Sequence, residues 1–416
     1  MKKFLVLALF SICTPFLAQK EQEIAPPYNI KTVAFVQNSQ NTIPVFNISD
    51  RFQFQFDDLY GDEANYYYQI QHCDYDWQPS QLSKNEYIQG FDDQRIQDYT
   101  TSLSTLQSYA HYKLSFPNKF TTQFLVTGNY MLKILNESKE VIFSRKFMLF
   151  ENRVSVPMQI KKARNVQDLN SKQNIEFTIK SDAIQFQNPI QNIKILLFQN
   201  GNFNEAKTNI KPMFTIGNDL VYKYDAETQF WGGNEFLFFE NKNIRGATNT
   251  ISFIDSNGGV YNSHLFAHSP RANMPYTFFP DINGNYQISN LNSTIIETEA
   301  DYAWVYFALS APAYFGKSDI YVGGMFNNFA LNTENKMEYN TIKKMYEKAI
   351  MIKQGFTNFQ YVLADDKGKI DNENALDGNF WQTENNYFVL VYYRENGQRY
   401  DRIIGKGSAT STEIIN

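Results

Sequence analysis

Apolar residues in this chain recur at every second position, and almost nowhere at every third or fourth. Phe52, Phe54 and Phe56 alternate with Arg51, Gln53 and Gln55. Successive side chains of a strand point to opposite faces, so this period describes a half-buried strand. Residues 66–70 and 112–116 read the same way, as does the face formed by Tyr130, Leu132 and Ile134 after Gly128. No stretch longer than ~10 residues holds a 3.6 period between caps, so very little helix is expected. The pattern predicts an all-β chain.

At about 150 residues per domain, 416 residues suggest two or three units. The strands group into three blocks, read as three consecutive immunoglobulin-like β-sandwiches. The first covers 26–152, with a long polar insertion, 78–108, between two of its strands. The middle sandwich runs over 153–268 and closes near the Asn257-Gly258-Gly259 turn. A Pro-rich connecting segment, 269–295, leads to the third sandwich, 296–407. Its last hairpin turns at Asn396-Gly397, a strong hairpin signal. Residues 408–416 read as a flexible, frayed tail. Loops longer than ~15 residues are usually functional or disordered, and Tyr87, Phe91 and Tyr99 argue against disorder in the insertion.

Composition excludes several classes. Charged residues make up 19%, below the usual ~25%, while 43% are hydrophobic, so a disordered polyelectrolyte does not fit. The net charge of −5 provides no field to attract nucleic acid. Residues 1–18 read as a signal peptide: Lys2 and Lys3, then an apolar run, with cleavage expected after Ala18. Ile12 is too bulky to precede a lipidated cysteine, which argues against acylation at Cys13. No direct membrane insertion is expected, because no later stretch has the ~18 apolar residues of a spanning helix and charges are scattered through the strands.

Motifs for chemistry are sparse. His72, Asp74 and Asp76 could share one strand face as metal ligands, whereas Cys73 points the other way. The plainer reading is a strand end with its turn, and Cys73 as an inert core thiol. No G-x-S-x-G elbow, CxxC pair or HExxH helix is present. Neither an enzyme nor a cofactor is expected.

Two resemblances add to this. Asp319 to Gly323, the Gly324-Met325-Phe326-Asn327-Asn328-Phe329 turn and residues 355–361 resemble the starch- and glycogen-binding immunoglobulin-like modules. Phe329 stands where those modules have Trp, which weakens the implied glycan binding. The wider likeness carries His72-Cys73-Asp74-Tyr75-Asp76-Trp77, Gly90-Phe91, Tyr109 to Asn118, Gly128-Asn129-Tyr130, Phe279 to Tyr286 and Arg399-Tyr400-Asp401. Over about 28–407 it resembles the plug proteins of the type IX secretion system of Bacteroidota, departing at Phe329 and at Ala110, where Thr is more usual. This resemblance implies a periplasmic protein that reversibly seals the inner mouth of the large outer-membrane translocon β-barrel when no substrate is in transit. It implies no catalytic residue, metal or cofactor, and leaves room for other translocon subunits as partners. Expected contact residues are Tyr87, Phe91 and Tyr99 in the insertion, and Phe326, Asn327 and Phe329 in the third block. The competing expectation is an envelope glycan-binding β-sandwich protein. A metal hydrolase centred on His72 and Asp74 is a distant third.

Overall fold

A computed structural model of the protein describes residues 20–313 and 316–414. The expected signal peptide, 1–18, with Cys13, lies outside the described residues. Among those described, helix is limited to one-turn α-helices at Lys84–Tyr87, Pro189–Asn192 and Ile296–Glu299, with a few 3-10 turns. The fold is all-β, built around three hydrophobic cores.

The N-terminal sandwich follows directly from the alternation. One sheet orders its strands Gln40–Asn41, Ile30–Gln37, Phe52–Asp58, Ala110–Phe116 and Asp98–Thr101. The facing sheet runs Val45–Asn47, Val141–Phe150, Gly128–Leu135, Tyr67–Cys73 and Gln94–Arg95. Phe54 and Phe56 lie across from Leu114 and Tyr112 on one buried face. Phe46 stacks on Phe52 at 4.0 Å. Each such aromatic contributes roughly 1.5–3 kcal/mol by leaving water. Nine phenylalanines are buried in this core.

The insertion 78–108 is not a free loop. It supplies an edge strand to each sheet, Gln94–Arg95 beside Tyr67–Cys73 and Asp98–Thr101 beside Ala110–Phe116. It also forms a two-stranded ribbon, Ile88–Gly90 with Thr121–Phe124. The helix Lys84–Tyr87 starts at a capping box, where Ser83 N donates to Glu86 Oε2 at 2.8 Å. That Ser-x-x-Glu spacing is a start signal visible in the sequence.

The other two sandwiches are nested, which corrects the boundaries expected at 153–268, 269–295 and 296–407. One middle sheet contains Met158–Lys162, Lys172–Ile179, Asp219–Tyr222 and Phe214–Ile216. Its partner sheet orders Asn202–Lys207, Ile193–Gln199, Asn386–Tyr393 and Arg402–Thr410, so half of it comes from the end of the chain. The third sandwich sits inside that split. Its sheets include Leu237–Glu240, Gly355–Ala364 and Tyr286–Ile288 on one side, and Ile251–Asp255, Tyr261–Leu265, Tyr302–Leu309 and Met345–Lys353 on the other. Alternation identifies a strand but not its neighbour, because pairing is non-local. The expected frayed tail is also corrected through Ser411, whose Oγ is buried and donates to the Thr383 carbonyl at 2.7 Å.

Candidate functional site

Two seams join the N-terminal sandwich to the others. Against the middle sandwich the contact is apolar: Val45, Met148 and Phe150 pack on Phe198, Leu390, Tyr392 and Ile403. Asn386–Tyr393 thus buries both faces, Val389 and Val391 in its own core and Leu390 and Tyr392 in the seam. At the rim the buried Asp401 carboxylate accepts from Tyr75 N at 3.1 Å, Lys194 Nζ at 3.2 Å and Arg394 Nε at 3.1 Å.

The seam to the third sandwich is built on charge. Asp57 is fully buried and accepts from Lys353 Nζ at 2.7 Å, His111 Nδ1 at 2.6 Å and Tyr302 Oη at 2.6 Å. Burial alone would raise this carboxyl, but Lys353 and His111 beside it outweigh that and hold it below the ordinary range. The end of the insertion braces the same seam. Leu106 N and Gln107 N donate to Asp301 at 2.6 and 3.1 Å, and Tyr109 Oη donates to the Ala300 carbonyl at 2.8 Å.

Where the three sandwiches meet they leave a central cleft of about 830 Å³. The strand Ile30–Gln37 bulges between Lys31 and Ala34, with Thr32 at φ 51°, and lines the cleft at that point. Arg145, in register parity with the core residues Phe143 and Phe147 on the strand Val141–Phe150, also lines it. The third sandwich contributes Tyr286 and the turn Phe326 to Asn328. A smaller cleft of about 350 Å³ separates the middle and third sandwiches and is lined in part by Phe329.

The six expected contact residues fall in different places. Tyr87 is 1% exposed, and its hydroxyl donates to the Ile70 carbonyl at 3.1 Å, so it is a core residue and presents no contact surface in this fold. Phe91 is 72% exposed at the end of the ribbon. Tyr99 is half-buried and stacks on Tyr112 at 5.5 Å. Phe326 and Asn327 come together in the central cleft, where Phe326 leans on the third core. Asn327 spends its amide on the turn, donating to the Val322 carbonyl at 2.8 Å and accepting from Gly324 N at 3.1 Å. Phe329 is 7% exposed. Arg145 and Tyr286 were not among the expected contact residues: a lone Arg in a strand carries no motif, and Tyr286 entered only as the end of the stretch from Phe279 that carries the family likeness.

The residues of 72–76 do not converge. His72 is buried, with Nδ1 2.8 Å from Ser80 Oγ and Nε2 3.3 Å from the Thr127 carbonyl, and burial lowers its pKa to about 4. Gly128, at φ 145°, lets the backbone pass this ring; a Cβ there would lie 2.5 Å from His72 Nε2. Asp74 pairs with Arg394 at 2.7 Å, and Asp76 faces solvent near Lys20. Burial pushes the Cys73 thiol up to about 12, away from reactivity. Among the described residues no group of three His, Cys, Asp or Glu side chains could hold a metal.

Residues 30–151, which are the N-terminal sandwich, match the family described as type 9 secretion system plug protein, first domain. No curated protein matches the chain. Among solved structures, the crystal structure of a hypothetical protein from Parabacteroides merdae ATCC 43184 at 2.30 Å resolution is similar over 94% of this chain and 100% of that one. The two share 30% identity and superpose with a TM-score of 0.89. The family match agrees with the resemblance read in the sequence, and the N-terminal sandwich belongs to the type IX secretion system plug family as its first domain.

Proposed function

We propose that this protein is a periplasmic plug of the type IX translocon, reversibly closing the inner mouth of its outer-membrane β-barrel when no substrate is in transit. The match of the N-terminal sandwich to the plug family carries this reading. The two seams support it mechanically. A wide pore needs a stiff body as its stopper, and two packed, hydrogen-bonded seams hold three sandwiches together. Among the described residues no helix is long and apolar enough to cross a membrane. Export through the leader 1–18 would place the protein in the periplasm.

The surface best suited to the barrel is the ribbon Ile88–Gly90 with Thr121–Phe124 and its flanks. Exposed Phe91 and Leu125, with half-buried Phe120 beside them, offer apolar anchors on a polar surround. A reversible seal favours such anchors over buried charges, which are costly when unpaired. The glycan-binding alternative gains little, since the rings of Trp77, Trp231 and Trp381 each lie under a lysine Nζ, at 4.4, 4.4 and 3.6 Å. Affinity capture of a tagged barrel from substrate-depleted cells should recover the protein. Consistent absence from that preparation would end the plug reading, and retention on immobilised α-glucan would promote the alternative.

A further inference from the structure

We propose that the central cleft binds a carboxylate, with the Arg145 guanidinium as anchor and the Tyr286 hydroxyl as a second donor. The inference stands on the cleft and does not rest on the plugging role.

The carboxylates of the lining are all engaged, while Arg145, Lys146 and Lys369 form no ion pair among the described residues. Glu23 is engaged by Lys146 N at 2.7 Å and Asn328 Nδ2 at 2.8 Å. Glu334 pairs with Lys31 at 3.0 Å, and Lys353 is committed to Asp57. Glu205 accepts from Asn202 Nδ2 at 3.1 Å and from Asn372. Lys146 lies over the ring of Trp77. Arg145 donates only to the Ser144 carbonyl, at 3.1 Å, and no carboxylate among the described residues lies within ion-pair distance of it. Burial works against its charged form, with Glu23 offsetting part of that. An additional negative group would relieve a half-desolvated cation.

Tyr286 supplies the second observation. It is 6% exposed, lines the cleft, and its buried hydroxyl has no hydrogen-bond partner. Native structures rarely leave such a group unpaired. Burial and the nearby Asp57 keep the phenol protonated, so it is available as a donor. Arg145 and Tyr286 both line this cleft. A guanidinium fork beside one hydroxyl matches a carboxylate, which accepts bidentately and has lone pairs to spare. The volume, about 830 Å³, has room for more than the carboxylate itself. Both a small dicarboxylate and a peptide carboxyl terminus share this chemistry.

Calorimetric titration of the full chain decides the matter, using glutarate, an acetylated uncharged tripeptide with a free carboxyl terminus, and its amidated twin. At least one of the two acids should bind, with the amide about 10-fold weaker than the acid tripeptide if that is the binder. R145Q should weaken binding about 10- to 100-fold and Y286F about 3- to 10-fold, with R145K in between. Binding of glutarate alone assigns the site to small acids, and preference for the acid tripeptide assigns it to chain termini; either supports the proposal. If R145Q does not fold, R145K and Y286F carry the test. No binding by any probe, equal binding of acid and amide as the sole interaction, or unchanged binding in the folded variants overturns it.

Discussion

The two seams of the N-terminal sandwich solve the same problem with opposite chemistry. Against the middle sandwich, seven buried apolar side chains do the joining, and the Asp401 cluster closes the rim. Against the third sandwich, Tyr109, Tyr302 and Met351 form a small buried apolar cluster among the described residues, and Lys353 of the Asp57–Lys353 pair lies over the Tyr109 ring at 4.1 Å. An apolar seam is forgiving, because packing degrades by increments. A seam built on a buried ion pair is conditional, because either partner alone is a buried, uncompensated charge. The difference teaches that the joint to the third sandwich specifies geometry more than it supplies stability.

The sharpest way to break the comparison is Asp57→Asn, which leaves Lys353 buried without its counter-charge. A loss of about 3–5 kcal/mol in urea unfolding is expected, and the double change Asp57→Asn with Lys353→Met should recover much of it. If the double variant is no better than the single one, the seam does not depend on the pair. Leu390→Ala tests the apolar seam, with an expected cost of about 3 kcal/mol and no rescue by any charge change.

The pH dependence separates a buried ring near the first seam from the rest. His72 has a folded pKa of about 4 against 6.5 for the unfolded chain, so the unfolded state takes up the proton first as pH falls. Its contribution, roughly 3 kcal/mol, is present above pH 6.5 and lost between 6.5 and about 4. His72→Gln should flatten that part of the stability profile, and an unchanged slope would show that the ring does not carry it. The smallest effect on folding is expected for Phe91→Glu, within about 0.5 kcal/mol, accompanied by weaker capture by the barrel. Equal capture by the folded variant would move the contact surface away from the ribbon.

Much of the first sandwich was legible because its strands alternate cleanly and pair with near neighbours in sequence, as Gly128–Leu135 does with Val141–Phe150. The hairpin at Asn396-Gly397 was legible for the same reason, since the strands Asn386–Tyr393 and Arg402–Thr410 flank it and pair. Its location was not. The run 386–393 is apolar on both faces, and nothing local says that one face belongs to the middle core and the other to a seam. The insertion misled in a similar way: short edge strands of two to four residues carry too little alternation to register. Tyr87 looked like a surface anchor only because its neighbours are polar.

The sequence by itself determined the all-β class, the strand-rich first sandwich and the family likeness, because side-chain period and short motifs are local properties of the chain. Only the tertiary structure decided that the third sandwich is nested within the second, that Asp57 meets Lys353, and that Arg145 and Tyr286 share a cleft. Asp57 and Lys353 are 296 positions apart. Contacts at that range depend on how whole sheets pack, and pattern along the chain carries no record of it.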